Sequence, residues 1–278
     1  MTTVILNNKN QTGVEFLQWA LPKLGYRWKG FRKPRGQVLQ RIRDRITELK
    51  LSGFSDYRSF LATQPEEWKV LDKLLFVTIS RFFRDRKLWD DLSGKIIPEL
   101  AKRKSPQKIR AWSAGCCNGE EPYSIAVASD LCGYNDSITI LASERNPELL
   151  ERARNGVYPS SSLTELTEHE KESYFEMIDE EPNYRILQNI KNAVKFEQRD
   201  IKKSLPDETF DLIFCRYLVF TYFDVSSQKA FLESIKNILS NGGYLIIGSN
   251  ETLPETDWLE KAPIHQDVYR KFSKGVSG

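Results

Sequence analysis

The chain has 278 residues, enough for one large α/β domain and a smaller one around a sizeable core. Its composition, 40% hydrophobic and 28% charged, is that of an ordinary globular protein, and a net charge of +3 is too small to indicate a nucleic-acid partner. Four cysteines without a C-x-x-C pair and only two histidines argue against a metal site, and the lack of a leader or an apolar run of membrane length points to the cytoplasm without membrane insertion.

Residues 1–11 are polar around a short apolar core and read as a loose end or a tucked-in strand. Val14 to Leu24 carries apolar residues at helical spacing and Gly25 closes it. Gln37 to Lys50 is a second helix, with Val38, Leu39, Ile42, Ile46 and Leu49 on one side and Arg41, Arg43 and Arg45 around the rest. Between Lys23 and Lys50 there are ten Lys or Arg against two acids, a local basic face open to two readings: a solvated surface, or a dock for an acidic protein. Phe54 to Leu61 and Pro65 to Val77 read as further helices, so that residues 1–80 form an amino-terminal helical domain and 81–278 a second domain.

The second domain opens after T-I-S-R-F-F-R-D (Thr78 to Asp85) with a helix over Leu88 to Lys102. Lys108 to Ser124, K-I-R-A-W-S-A-G-C-C-N-G-E-E-P-Y-S, is a strand (Ile109 to Trp112), a loop with Gly115 and Gly119, and a helix from Pro122 to Leu131. Glycines at the carboxyl end of a parallel strand let the backbone approach a ligand. The loop lacks both G-x-G-x-x-G and the Lys-Ser/Thr ending of a phosphate loop, and Glu120 and Glu121 would repel a phosphate. They suit a ligand with a positive group or hydroxyl donors.

Ile138 to Ala142 is a second strand ending near Glu144, where a carboxylate would hold the ribose hydroxyls of a nucleotide-like cofactor. Helix Pro147 to Asn155 follows, then strands Val194 to Gln198, ending at Asp200, and Phe210 to Cys215, ending at Arg216. A helix over Ser226 to Leu239 turns through Asn241-Gly242-Gly243 into strand Tyr244 to Gly248, and Val268 to Phe272 adds a last strand. Alternating strands and helices imply a parallel, doubly wound sheet. The acid- and aromatic-rich segment 163–190 breaks the alternation and reads as an insertion.

In this order, F-F-R-D at Phe82, W-S-A-G-C-C-N-G-E-E-P-Y-S at Trp112, A-S-E at Ala142, R-A-R-N-G-V-Y at Arg152, F-D-L-I-F-C-R at Phe210, Y-F-D at Tyr222 and N-G-G-Y-L-I-I-G-S-N-E ending at Glu251 resemble the chemotaxis-receptor glutamate methyltransferases of the CheR type, over roughly residues 30–272. The resemblance implies an α/β, Rossmann-like class I methyltransferase sheet with an amino-terminal helical domain and a small inserted β subdomain. It implies S-adenosyl-L-methionine as cofactor, held by Thr78, Ser80, Arg84, Gly115, Glu121, Glu144, Asp200, Ile201, Arg216 and Tyr217. Arg84 and Tyr222 would flank the transferred methyl as the catalytic pair. The implied acceptor is an acidic helical receptor-like protein. Two alternatives keep the fold: another methyl acceptor, or a non-catalytic cofactor-binding module.

The sequence departs from the family pattern at several positions. Tyr217 stands where Asn is usual, one extra residue precedes Tyr222, Thr78 replaces another usual Asn, and Glu144 is one methylene longer than Asp. A bulky Tyr217 is therefore expected to reshape the cofactor or acceptor pocket.

Overall fold

The computed structural model describes residues 13–75, 77–178 and 183–272. The polar stretch 1–11, position 76 in the fourth predicted helix and 179–182 within the acid-rich segment lie outside the described residues. The chain forms two compact units: residues up to Thr78 together with Thr221–Gln228, and Ile79–Phe220 together with the chain from Lys229 onward.

The first unit is helical. Helix α1 spans 13–20, and the predicted run to Leu24 changes there into a tighter 3₁₀ turn, Leu21–Leu24. Pro22 is the cause, since it has no N–H for the next α-helical bond. Helices α2 (Arg35–Glu48), α3 (Phe54–Thr63) and α4 (Glu67–Leu74) follow. Val38, Leu39, Ile42 and Ile46 of α2 are buried on one stripe, the i, i+3, i+4 pattern that makes an amphipathic helix fold onto its neighbours.

The arginines of α2 are largely committed within this unit. Arg45 grips the buried Glu67 with Nε at 2.9 Å and Nη2 at 2.8 Å, and Tyr57 donates its hydroxyl to the same carboxylate at 2.9 Å. The Arg45 fork is the main reason Glu67 titrates below its ordinary range. Arg41 donates to the Leu74 carbonyl at 3.1 Å. Lys29, Arg32, Lys33 and Arg35, ahead of and at the start of α2, are exposed, as are Lys23 and Lys50 at the ends of the basic stretch. Residues 221–228 complete the unit: Arg27 N–H donates to the Tyr222 carbonyl at 2.8 Å, Asp224 N–H to the Gly25 carbonyl at 3.0 Å, and Phe223 packs edge-on to Tyr26.

The second unit is an α/β sandwich about a seven-stranded sheet of order β6-β2-β1-β7-β8-β10-β9. The strands are β1 (Ile109–Ala114), β2 (Ile138–Glu144), β6 (Val194–Gln198), β7 (Phe210–Phe214), β8 (Leu239–Ile246), β9 (Leu259–Lys261) and β10 (Val268–Lys271). The first five in spatial order are parallel, while β10 runs antiparallel to both β8 and β9. From β1 the chain builds outward through β2 to β6, then returns to the other side of β1 with β7 and β8. The strand order therefore reverses at β1, and α/β folds bind ligands at the carboxyl ends beside such a reversal. Every residue of β7 is buried, as expected for a central strand covered on both faces.

Three elements differ from the sequence expectation. The helix read over Leu88 to Lys102 is α5 (Arg86–Asp91), a π turn (Leu92–Ile96) and α6 (Ile97–Lys104). Pro98 has no N–H for the Gly94 carbonyl, and the register slips so that Ile97 N–H reaches Leu92 O. Asn241-Gly242-Gly243 lies within β8 as a bulge: Phe210 pairs with Leu239, but Leu212 pairs with Tyr244. β9 is too short to show a period in sequence.

Helices α7 (Glu120–Leu131), α8 (Pro147–Asn155), α9 (Glu168–Tyr174), α10 (Gln188–Asn192) and α11 (Val225–Lys236) accompany the strands. The inserted subdomain is a three-stranded antiparallel sheet of order β3-β5-β4, made by Val157–Pro159 (β3), Phe175–Met177 (β4) and Asn183–Ile186 (β5). Helix α9 opens with a capping box between Thr167 and Glu170. Arg86 then holds Glu170 with both guanidinium nitrogens, at 2.8 and 2.7 Å. Among the described residues no helix is long and apolar enough to cross a membrane.

Candidate active site

The segments that follow β1, β2, β6, β7 and β8 all leave the sheet at one end. At that end lie Gly115 after β1, Glu144 as the last residue of β2, Asp200 with Ile201 after β6, Arg216 with Tyr217 after β7, and Gly248 to Glu251 after β8. The loop after β1 is tied to β2. Gly115 and Cys116 N–H both donate to the Ser143 carbonyl, at 2.8 and 2.9 Å, and Cys117 N–H donates to Glu144 Oε2 at 3.1 Å. Gly115 has φ +73°, and a Cβ there would stand 2.4 Å from Leu218 Cδ2. A Gly115→Ala variant is expected to lose about 1–2 kcal/mol of stability through the left-handed backbone and to push Leu218 off the loop. Urea unfolding checks the first effect, and unchanged stability would contradict it.

Glu144 is buried, and its carboxylate takes backbone N–H groups at both oxygens, Cys117 on Oε2 and Asn146 on Oε1 at 2.9 Å among them. Burial pushes its pKa up, and the N–H donors of Asn146, Cys117 and Arg145 only partly offset this. A carboxylate offers about four acceptor sites, so acceptor capacity remains.

Helix α7 begins with two carboxylates in different settings, both suited to a helix N-terminus. Glu121 accepts from Ser113 Oγ at 2.7 Å and pairs with Arg216 Nη1 at 3.3 Å. Burial nevertheless holds its pKa above the ordinary value. Glu120 faces the Ser80 and Ser162 hydroxyls, its pKa also raised by burial, and its Oε2 is buried without a hydrogen-bond partner.

The F-F-R-D segment works as an anchor and a head. Phe82 and Phe83 are buried, Phe82 edge-on to both Tyr158 and Phe175 at 4.8 and 5.0 Å. Rings buried this well contribute on the order of 1.5–3 kcal/mol each, and they fix where the next two residues emerge. Arg84 is half-buried and spends Nη1 on the Ile79 carbonyl at 3.0 Å, with no ion pair among the described residues. Its guanidinium carbon lies 3.5 Å from the Tyr217 ring centroid. Asp85 is the hub of the cluster. Its Oδ2 accepts from Arg216 Nη2 at 2.7 Å and from the Tyr217 hydroxyl, and its Oδ1 from Ser249 Oγ at 3.4 Å. Burial alone would raise the Asp85 pKa, but the Tyr217 hydroxyl and the charges of Arg216 and Arg84 prevail and hold it below its usual value.

Arg84, Glu121, Arg216 and Tyr217 thus meet in one network. Gly115 and Glu144 adjoin through the β1 loop, and Ser80 reaches the start of α7. Asp200 turns its carboxylate onto its own loop, accepting from Lys202 N–H at 3.1 Å, with Ile201 beside it. Thr78 is exposed and Tyr222 half-buried; both belong to the helical unit, where the Tyr222 ring lies 5.0 Å from Phe31. Asp85, Ser113, Gly248, Ser249 and Glu251 are site residues that the sequence reading does not name as such. Asp85 and Gly248 to Glu251 lie inside motifs already singled out, F-F-R-D and G-S-N-E. The bulk of Tyr217 is accommodated by Gly248, where a Cβ would stand 2.7 Å from the ring.

Among the described residues, no group of three or more His, Cys, Asp or Glu is placed to hold a metal ion. Residues 78–268 match the family model described as "CheR methyltransferase, SAM binding domain". The chain is 33% identical over 217 residues to the chemotaxis protein methyltransferase of Listeria innocua, covering 78% of this chain and 81% of that protein. It is 29% identical over 250 residues to the probable chemotaxis protein methyltransferase of Rhizobium etli, covering 86% and 92%. The family match spans the strands, the glycine loop and the charged network alike, and the chain belongs to the CheR methyltransferases, as an enzyme that uses S-adenosylmethionine.

Proposed function

We propose that this methyltransferase esterifies glutamate side chains of a chemotaxis-receptor-like protein in the cytoplasm. The observation that carries the reading is the half-buried Arg84 guanidinium, ring-supported and without an ion pair among the described residues, near the Glu121 carboxylate whose pKa burial raises. The guanidinium N–H groups not spent on the Ile79 carbonyl can receive a carboxylate. The relatives' own description as chemotaxis protein methyltransferases supports the receptor as acceptor, and exposed Lys29, Arg32, Lys33 and Arg35 favour an acidic partner. All four cysteines are free thiols, which accords with a reducing compartment.

The donor set fits the cofactor. S-adenosylmethionine, when bound, supplies a sulfonium methyl for in-line transfer to an acceptor oxygen, with the bonding pair staying on sulfur. Glu144 has acceptor capacity left for a ribose diol, and Glu121 for an ammonium, whose arrival would offset its burial. Arg84 suits the amino-acid carboxylate and Gly115 gives backbone clearance. Ser80, Asp200, Ile201, Arg216 and Tyr217 complete the proposed cofactor site in the sheet unit, where Arg84 orients the acceptor oxygen. Charge disappears in the transition state, so alignment carries more of the rate than new electrostatic stabilisation. A glutamate acceptor, with a reference pKa near ~4.3, is already an anion at neutral pH and needs no general base.

Incubation with methyl-labelled cofactor and acidic helical receptor fragments is expected to give base-labile label. No label on any receptor of the host would sink the proposal. Base-stable label would point to another acceptor, and binding of the demethylated cofactor without turnover to a regulatory module.

A further inference from the structure

Tyr217 is held at three places, its backbone N–H, its ring and its hydroxyl. Its N–H donates to Glu251 Oε2 at 2.9 Å, and the same oxygen takes Gly248 N–H at 2.7 Å, so one carboxylate atom sets the distance between the Tyr217 and Gly248 backbones. The ring then lies against Gly248 at a range that excludes any Cβ there. Its hydroxyl meets Ser249 Oγ at 2.8 Å and also bonds to Asp85. Tyr217 keeps this placement at φ +55°, a backbone conformation that costs a non-glycine residue free energy. What the ring presents is a fixed platform, and the group on it is Arg84 at 3.5 Å. An arginine head has considerable rotamer freedom, and a ring face attracts and orients it.

We propose that Tyr217 is a positioning residue that aims the Arg84 guanidinium into the site, with Gly248 supporting its ring and Asp85 and Ser249 anchoring its hydroxyl. The inference rests on the reading of Arg84 as the partner of a ligand carboxylate. It assigns the ring, not the hydroxyl, the larger share of the effect, because the hydroxyl is spent on Asp85 and Ser249.

The test is calorimetry with S-adenosylhomocysteine on the full chain, for wild type, Tyr217→Phe, Tyr217→Asn, Arg84→Met and the double variant R84M/Y217N. Asn is chosen because it tolerates positive φ while removing the ring; Tyr217→Gly is the second deletion variant should Y217N not fold. Y217F is expected to bind within about threefold of wild type, and Y217N roughly tenfold more weakly, the scale of one cation–π contact. In the R84M background Y217N should add nothing, because the ring acts through the guanidinium. Y217N weakening both backgrounds equally, or Y217F being as poor as Y217N, would overturn the inference while leaving Arg84 as a ligand residue. R84M binding as tightly as wild type would overturn the reading of Arg84 itself.

Discussion

An Arg216→Met variant is expected to lose ~3 kcal/mol of stability at neutral pH, a large part of the 5–15 kcal/mol typical of a folded domain. Arg216 is among the most buried charges in the sheet unit, and its two terminal nitrogens join Asp85, Glu121 and the Arg84 carbonyl. Methionine fills similar volume but leaves two partly buried carboxylates without their cation. Both have some solvent access, which puts the loss at the low end for a broken buried pair.

The pH dependence follows from opposite signs. Asp85 is held below its unfolded value, so its contribution is present above that value and is lost as pH falls through the depressed folded pKa. Glu121 is held above its unfolded value, so its contribution is present below that value and is lost as pH rises through the raised folded pKa. Without Arg216 the first shift relaxes and the second grows. The deficit should therefore be largest near neutrality and shrink towards pH ~4, where unperturbed carboxylates take up protons. Urea unfolding of both proteins at the two pH values reads this directly, and an equal deficit at both would contradict the account. Arg216→Lys, which keeps the charge and loses the fork, should fall in between.

Glu144→Ala is expected to weaken S-adenosylhomocysteine binding about a hundredfold, from hydrogen bonds between a carboxylate and a ribose diol worth roughly 1.5–3 kcal/mol each. It also frees the Cys117 and Asn146 N–H groups that hold the β1 loop to the end of β2. Glu144→Asp keeps the charge on a shorter arm and should bind better than the alanine variant. Calorimetry with the three proteins measures the series, and an alanine variant within threefold of wild type would remove Glu144 from the cofactor site.

The fold was legible where local pattern and tertiary role agree. I-R-A-W-S-A followed by glycine announces a buried strand meeting a loop, and F-D-L-I-F a central strand, since burial on both faces leaves no polar alternation to obscure them. It was least legible where a distant residue or a missing donor decides. Pro22 and Pro98 cut or shifted helices whose apolar periodicity runs on past them, and pairing with β7 draws Asn241-Gly242-Gly243 into a strand despite its turn chemistry.

The same distinction divides the site. Gly115, Glu121 and Glu144 announce themselves beside strand ends. Asp85 does not, because its meaning comes from residues more than 130 positions away, and its own left-handed backbone has no signature in F-F-R-D. Tyr217 was visible as a departure, but the absence of a side chain at Gly248 that accommodates it is a three-dimensional fact.

The helical unit is discontinuous, and this bears on its synthesis. Its last contribution, residues 221–228, supplies the partner of Tyr26 in a β bridge, the carbonyls met by Arg27, and Phe223. A ribosome delivers the first helices long before this piece, and domains ordinarily fold in the order they emerge. Here the Phe223 bridge partner of Tyr26 and the Thr221 and Tyr222 carbonyls that Arg27 meets arrive only after β1, β2, β6 and β7 have been made. The helical unit is thus completed only after most of the sheet unit has been made.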